Sequence, residues 1–350
     1  MHMADALLSP AVGGSMWAAS AGAIAYCSAQ LRREADDRKA PLMGVLGAFL
    51  FAAQMINFSI PATGSSGHLS GGLLLAILLG PCAAFLTIAS VLVVQAFFFA
   101  DGGLLALGCN IFNLGLLPAF VVYPLVYRKL IGNDPSRSRQ TAVTMIAALL
   151  ALQLGAFAVV LETVGSGVSS LPFSNFLMLI QPIHLAIGLV EGAVTVAVVS
   201  FVRQARPELL RLPVVAPAAA QRSRTALLLA FLVCAVFTGG VFSMFASQAP
   251  DGLEWAVAKV TGKAELQPPE HAVHDALALL QDKSALFPDY AFRPARTAAV
   301  SPPPVQMQKE AVKAGTGVSG IVGAILTLSL VLGTCLLLKK GSRAAVVPEA

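Results

Sequence analysis

Long apolar segments alternate with short polar connections along almost the whole chain. Eight of these segments are long enough to cross a bilayer as helices, since about 20 apolar residues span its hydrocarbon core. They lie at about 11–31, 41–58, 82–99, 104–128, 140–162, 176–203, 225–246 and 318–338. A shorter apolar segment at 69–80 follows a Gly/Ser-rich stretch and predicts a short or broken helix that its neighbours shield from lipid.

Basic residues cluster in four of the polar connections. The clusters are Arg32, Arg33, Arg38 and Lys39; Arg128, Lys129, Arg137 and Arg139; Arg203, Arg206, Arg211, Arg222 and Arg224; and Lys339, Lys340 and Arg343. Cytoplasmic loops of membrane proteins carry an excess of Lys and Arg. All four clusters face the cytoplasm if the N-terminus lies outside and the segment 69–80 counts as a crossing, which predicts nine crossings and a cytoplasmic C-terminus.

Composition supports an all-α polytopic membrane protein of the cell (inner) membrane. Of the 350 residues, 57% are hydrophobic and only 12% are charged, whereas soluble domains carry about 25% charged residues. The net charge of +5 does not indicate a nucleic-acid partner, because the basic residues lie between apolar segments and the chain has only four Tyr and two Trp. No phosphate-binding G-x-x-x-x-G-K-[ST] motif occurs, so the chain itself is not expected to hydrolyse ATP.

The composition changes after residue 247, where a polar and Pro-rich stretch separates the last two apolar segments. We predict a metal-binding transmembrane domain at 1–203, a cytoplasmic linker at 204–224 and a two-helix module at 225–350 with an outer loop at 247–317. His271 and His274 lie in this loop and could capture a metal weakly, but we interpret them as solvated loop histidines.

His2 is the residue most suggestive of chemistry. The first residues lack the basic region of a signal peptide, so we expect Met1 to begin the working protein. Its α-amine, the backbone nitrogen of His2 and the His2 imidazole can chelate one ion in a plane. Square-planar nitrogen sites suit Ni(II) or Cu(II). His68, beside a glycine-rich turn on the same outer side, is the candidate fourth ligand; the alternative is that both histidines are incidental.

Several polar residues fall inside the apolar segments. His184 and Glu191 are seven positions apart and share a helix face. Together with Asn110 and Asn113 they form a candidate intramembrane polar network, and the alternative is ordinary hydrogen bonding between helices. Asn57 precedes the glycine loop and could orient His68, as groups around metal ligands do.

Several motifs resemble the CbiM/NikM family, the substrate-binding (S) components of energy-coupling-factor (ECF) importers for cobalt and nickel. The opening Met-His-Met-Ala-Asp-Ala-Leu-Leu-Ser-Pro and the Gly-His-Leu-Ser-Gly-Gly run at 67–72 carry the resemblance most specifically, and together the matching stretches cover about 1–203. The others are 54–58, 79–81, 101–103, 108–113 and 184–192. Residues 225–340 resemble the companion N component, with its Pro-Asp-Gly-Leu-Glu (PDGLE) signature at 250–254.

The resemblance implies a seven-helix ECF S-component bundle fused to a two-helix module. It implies Ni(II) or Co(II) as the bound substrate, with Met1, His2 and His68 as ligands and with Asn57 and Ser66 as supporting residues. Its partners would be a transmembrane coupling (T) subunit and cytosolic ATPase (A) subunits, beside membrane lipid. The chain would be a transporter component and not an enzyme. A membrane enzyme, metal channel or secondary transporter using His184 and Glu191 remains the alternative.

Overall fold

The computed structural model describes residues 2–34, 39–169, 171–210, 223–263, 266–293 and 305–344, with side chains from 314 to 340 in the last range. Met1 and three members of the predicted basic clusters, Arg38, Arg211 and Arg222, lie outside the described residues, as does the side chain of Arg343.

Helices make up most of the described chain. They are α1 (Pro10–Glu34), α2 (Lys39–Gln54), α3 (Gly72–Leu79), α4 (Pro81–Phe99), α5 (Leu107–Ile131), α6 (Arg137–Ser166), α7 (Phe173–Ala205), α8 (Arg224–Gly240), α9 (Gly252–Thr261), α10 (Ala272–Ser284) and α11 (Val305–Ala344). Single 3₁₀ turns occur at Asp5–Leu7, Pro207–Leu210, Phe242–Phe245 and Pro288–Tyr290. Two short strands, β1 (Phe58–Ile60) and β2 (Ser65–Gly67), pair antiparallel as a hairpin.

Six of these helices are long and apolar enough to cross a membrane: α4, α5, α6, α7, α8 continued to Phe245, and α11 from Ala314 to Lys340. The prediction of an all-α polytopic membrane protein is therefore confirmed. The apolar segment at 41–58 is shorter than predicted, because α2 ends at Gln54 and the chain then enters β1. The middle of α5, Phe112–Tyr127, is wound as a π-helix around Pro118 and Pro124, which lack backbone donors.

The short apolar segment before Pro81 forms α3, as predicted. Every residue of α3 is buried, and the helix packs against α4 and α5. Buried surroundings are required because so short a helix cannot span the hydrocarbon core alone. Gly71, in the left-handed conformation at a φ of 74°, precedes its first turn and brings the chain close to Leu50 of α2.

Helices α8 and α11 pack against each other and against α2. Gly239 of α8 and Gly320 of α11 meet backbone to backbone, since a Cβ built on Gly320 would lie 2.1 Å from the carbonyl oxygen of Gly239. Small residues permit this close approach of helices in membranes.

The polar stretch between α8 and α11 contains structure that the sequence analysis left undefined. It forms α9 and α10, and Asp251 and Glu254 make a capping box at the first turn of α9. The interpretation of His274 as a solvated loop histidine is wrong. Its side chain is buried against the start of the chain, with Nε2 3.0 Å from the carbonyl oxygen of Leu8. His271 is exposed and accepts a hydrogen bond from the Val273 backbone N–H at the start of α10.

Candidate metal centre

The beginning of the chain is threaded into the bundle. Met3 is fully buried, its backbone N–H donates to Oδ1 of Asn110 at 2.8 Å, and its carbonyl accepts from the Gly103 N–H at 2.9 Å. Oδ1 of Asp5 accepts from the Ala106 N–H at 2.9 Å. These hydrogen bonds at Met3 and Asp5 hold the residues that follow His2 against the 101–106 loop and α5.

His2 and His68 come together at the end of the bundle where α2 and α4 finish. Their rings are nearly parallel, at 9°, with centroids 5.0 Å apart. The side chain of His2 is 5% exposed, and its Nε2 has no hydrogen-bond partner within the described part of the chain. Nδ1 of His68 lies 3.0 Å from the carbonyl oxygen of Leu69, which places the proton on Nδ1 and the lone pair on Nε2. Burial lowers the pKa of His68 to about 3, so the ring is neutral at physiological pH.

Glu191 of α7 holds the loop that carries His68. Its carboxylate accepts from the Ser70 N–H at 2.7 Å, the Ser70 hydroxyl at 2.7 Å and the Gly71 N–H at 3.1 Å. The carbonyl of Ser70 accepts in turn from Nε2 of Gln54 at 2.8 Å. A buried carboxylate placed before the first turn of α3 satisfies backbone donors that the helix leaves open.

The PDGLE segment holds the other side of the same loop. The Ser66 N–H donates to the Pro250 carbonyl at 2.7 Å, and the Ser66 hydroxyl donates to the Ala249 carbonyl at 2.8 Å. Ser66 and Asp251 form an isolated parallel bridge, so the PDGLE segment pairs with the hairpin at this one position. Nε1 of Trp255 donates to the Thr63 carbonyl at 2.9 Å in the turn between β1 and β2.

Asp101 connects His2 to the C-terminal module. Oδ1 of Asp101 accepts from Nδ1 of His2 at 3.1 Å, and Oδ2 accepts from the Tyr290 hydroxyl at 2.5 Å. Burial raises the pKa of Asp101, but the charge interaction and hydrogen bond with His2 and the hydrogen bond from Tyr290 outweigh it, so that this pKa falls well below its ordinary value. Asp101 is therefore a carboxylate with both oxygens engaged.

The sequence analysis did not single out Asp101 or Tyr290 as site residues. Asp101 belonged to a motif that carried the family resemblance, and this was its only signal. Tyr290 had none, because it lies in the Pro-rich loop and reaches Asp101 across the interface between the two parts of the chain.

The residues grouped as one intramembrane network lie in three separate places. Asn110 holds Met3, whereas Nδ2 of Asn113 donates to Oε2 of Glu162 at 2.8 Å. Glu191 holds the His68 loop. His184 is buried with Nδ1 2.8 Å from the Ile180 carbonyl of its own helix. Asn110 and Asn113 both contact Met3, Asn113 through its Nδ2 at 4.0 Å from the Met3 sulfur, but the hydrogen bonds of the described residues do not connect this pair with Glu191 or His184.

The two supporting residues predicted beside His68 differ in what they contact. Ser66 lies in β2 and bonds the PDGLE segment. The Oδ1 of Asn57 has no hydrogen-bond partner among the described residues, and the carbonyl of Asn57 accepts from the Ser247 N–H at 2.7 Å. Asn57 therefore ties the end of α2 to the chain after α8, whereas Nδ1 of His68 bonds the Leu69 carbonyl.

Within the described ranges, no group of three or more His, Cys, Asp or Glu side chains is arranged to hold a metal ion. Side chains alone therefore do not complete a coordination shell beside His2 and His68.

The chain is a polytopic helical membrane protein whose buried start lies beside the imidazole of His68. Residues 2–209 match the CbiM family model, described as the cobalt uptake substrate-specific transmembrane region, and residues 225–340 match the PDGLE domain. The chain belongs to the CbiM family. It is a component of cobalt/nickel transport and not an enzyme.

Relatives of this chain are named as nickel or cobalt transport proteins. The fused nickel transport protein NikMN of Rhodobacter capsulatus is 32% identical over 240 residues, covering 63% of this chain and 67% of that protein. The cobalt transport protein CbiM of Sorangium cellulosum is 32% identical over 221 residues, covering 61% and 97%. A crystal structure of a truncated transition metal transporter is 26% identical and covers 58% of this chain and 98% of its own, with a TM-score of 0.47.

Proposed function

We propose that the chain is the substrate-binding component of an ECF-type importer and binds Ni(II) or Co(II) through the Met1 amine, the His2 backbone nitrogen and imidazole, and the His68 imidazole. The observation that carries the proposal is the pair of parallel rings 5.0 Å apart, contributed by the chain start and by the glycine loop. Metal–nitrogen bonds are about 2.0–2.1 Å long for zinc, and rings this close can share one ion after the His2 ring turns.

Backbone nitrogens are the ligands that this site can offer beside its imidazoles. The His2 nitrogen lies next to Met3, whose own backbone groups are fixed by Asn110 and Gly103. Fixing the neighbouring residue lowers the entropy cost of closing a chelate ring. Four nitrogens in a plane favour Ni(II) or Cu(II) over tetrahedral Zn(II).

Loading the ion requires the ring of His2 to turn. Nδ1 is the atom that closes a six-membered chelate with the backbone nitrogen, yet in this structure it is bonded to Asp101. Rotation about the Cβ–Cγ bond turns Nδ1 toward the ion and moves Nε2 to the side of Asp101. The carboxylate can then accept from Nε2–H, which is the usual outer-shell contact of a metal-bound histidine.

Positive charge at the opposite end of the bundle supports an outward orientation of the site. One cavity of about 280 Å³ there is lined by the start of α2, the end of α3, the connection after α7 and the start of α8, including Lys39, Arg206 and Arg224. Positive charge marks the cytoplasmic side, so His2 and His68 face outward. A T subunit and ATPase subunits would supply the energy for release inward.

Nickel binding to the purified full-length chain tests the ligand set. Mass spectrometry first establishes that the chain starts with an unformylated Met1. Insertion of one alanine after Met1, or the change His68→Ala, should weaken nickel binding by more than the 10- to 100-fold typical of outer-shell changes. Both should also abolish the square-planar nickel absorption band.

The control is His271→Ala, which removes an exposed imidazole from the same chain. It should bind one nickel per chain with unchanged affinity. Undiminished binding after the alanine insertion would contradict the ligand set. Uptake into vesicles that persists without the ATPase subunits would contradict the ECF assignment and favour a channel or secondary transporter.

A further inference from the structure

A cavity of about 400 Å³ lies directly outside the candidate metal centre, between the two parts of the chain. The chain start and the 100–103 loop form one wall, and α9, α10 and the 3₁₀ turn at Pro288–Tyr290 contribute to the other. Five carboxylates line it: Asp5, Asp101, Asp251, Glu254 and Asp289. Within the described residues no Lys or Arg lines it, although the chain as a whole has a net charge of +5.

Two buried histidines lining this cavity carry ring nitrogens that lack partners. His274 is 2% exposed, and its Nδ1 has no hydrogen-bond partner within the described part of the chain. The same holds for Nε2 of His2, whose side chain is 5% exposed. Buried polar atoms are nearly always hydrogen-bonded, so these two nitrogens in the cavity wall leave acceptor capacity for polar hydrogens such as those of a cation's bound water.

The size and chemistry of the cavity fit a cation that keeps its water. Six waters at about 30 Å³ each occupy about 180 Å³, so a hydrated divalent ion fits inside 400 Å³. No three of the described carboxylates and imidazoles are close enough to ligate a bare ion. Carboxylates spaced around a volume of this size instead contact the waters of the ion.

We propose that this cavity is a capture site for the hydrated divalent cation, where carboxylates from both parts of the chain hold the ion before His2 and His68 strip its water. The later step, chelation by His2 and His68, rests on the proposed function. The earlier step, capture of the hydrated ion, takes place at a separate site. A cleft lined by charge of one sign concentrates its counter-ion and speeds association by about 10- to 1,000-fold. The C-terminal module contributes three of the five carboxylates, so the site is incomplete without it.

The test uses the double change Glu254→Gln and Asp289→Asn in the full-length chain. Glutamine retains the capping box of α9, and asparagine tolerates the φ of 49° at residue 289. Nickel association should slow by about 3- to 10-fold at low ionic strength, with an unchanged dissociation rate. In 1 M salt, where the screening length is about 3 Å, the rates should converge with wild type. The matched control is Glu270→Gln with Asp275→Asn, two exposed carboxylates that do not line the cavity.

Hexaamminecobalt(III) separates capture from chelation, because its ammonia ligands do not exchange and it can bind only through its outer sphere. It should slow nickel loading of wild type and of the control, and have little effect on the double variant. It should still bind to His68→Ala, which retains the cavity. The capture site is refuted if hexaamminecobalt(III) leaves wild-type loading unchanged, or if the double variant and the control load at the same rate. Nickel retained by His68→Ala refutes the proposed ligand set. The capture site is then decided by the hexaamminecobalt(III) competition and by the loading rates of the double variant and its control.

Discussion

The hydroxyl of Tyr290 is expected to tune the metal affinity from the other part of the chain. The change Tyr290→Phe removes the hydroxyl, and with it the 2.5 Å hydrogen bond to Asp101. The aromatic ring stacks on Phe99 with centroids 5.0 Å apart, and phenylalanine retains that contact. The variant therefore isolates one hydrogen bond to a carboxylate that itself bonds His2.

The magnitude follows from the charge and exposure of the acceptor. A hydrogen bond to a charged group contributes about 1.5–3 kcal/mol. Because the Asp101 side chain is 25% exposed, water can replace part of this interaction, and the lower half of the range applies. Since Tyr290 acts on the ion only through Asp101 and His2, we expect a loss of about 1–2 kcal/mol, or roughly 5- to 30-fold in nickel affinity.

Equilibrium nickel titration and a double-mutant cycle measure this coupling. Tyr290→Phe, Asp101→Asn and the double variant are compared with wild type. If Tyr290 acts through Asp101, the double variant should bind nickel about as Asp101→Asn does, which gives a coupling energy of about 1–2 kcal/mol. The control is Tyr26→Phe, since Tyr26 is exposed on α1 and its hydroxyl only accepts from Gln30.

Two results would refute this reasoning. One is wild-type nickel affinity in Tyr290→Phe. The other is strict additivity of the two single changes, which would show that the hydroxyl reaches the metal centre by a route that does not include Asp101.

Three further predictions concern the chain segments that hold the ligands. Glu191→Ala removes three hydrogen bonds to the Ser70–Gly71 turn and should lower the free energy of unfolding by about 3 kcal/mol. In thermal unfolding, Glu191→Gln should fall between Glu191→Ala and wild type, and equal unfolding temperatures of all three proteins would contradict a stabilising role for these hydrogen bonds. Gly103→Ala places a Cβ 2.5 Å from the Asp5 nitrogen and should abolish nickel binding in a folded protein, whereas Gly165→Ala, which meets nothing within 4 Å, should bind as wild type. Trp255→Phe removes one neutral hydrogen bond to the hairpin turn and should speed nickel dissociation by about 5-fold, for about 1 kcal/mol; an unchanged dissociation rate would show that this turn does not control release.

The membrane fold could be predicted from the sequence because the bilayer permits few solutions. Every apolar segment had to be helical, since lipid offers no partner to an open backbone, and each forms a helix. The prediction was less accurate at the end of α2. Phe58 and Ile60 continue the apolar character of α2, and periodicity does not show that the chain there turns into β1.

The histidines of the candidate centre could be proposed from the sequence by their chemistry, whereas the residues that hold them in place could not. Chelation depends on atoms within one or two residues, which a sequence displays directly. The supports are contacts between distant segments, such as Tyr290 with Asp101, Glu191 with Ser70, and His274 with Leu8. Each depends on packing that brings two parts of the chain together, and an isolated Tyr or His in a polar loop gives no sign of it.

The position of His68 is set jointly by the two parts of the chain. A two-stranded hairpin is marginally stable by itself, and β1 and β2 are three residues each. The carbonyls of Ala249 and Pro250 bond Ser66 of this hairpin, while Glu191 fixes the turn on the other side of His68. Loss of either contact leaves the imidazole on a glycine-rich loop held at one end. A shift of the C-terminal module along the hairpin therefore moves His68 relative to His2, so the fused module can change the coordination geometry without supplying a ligand.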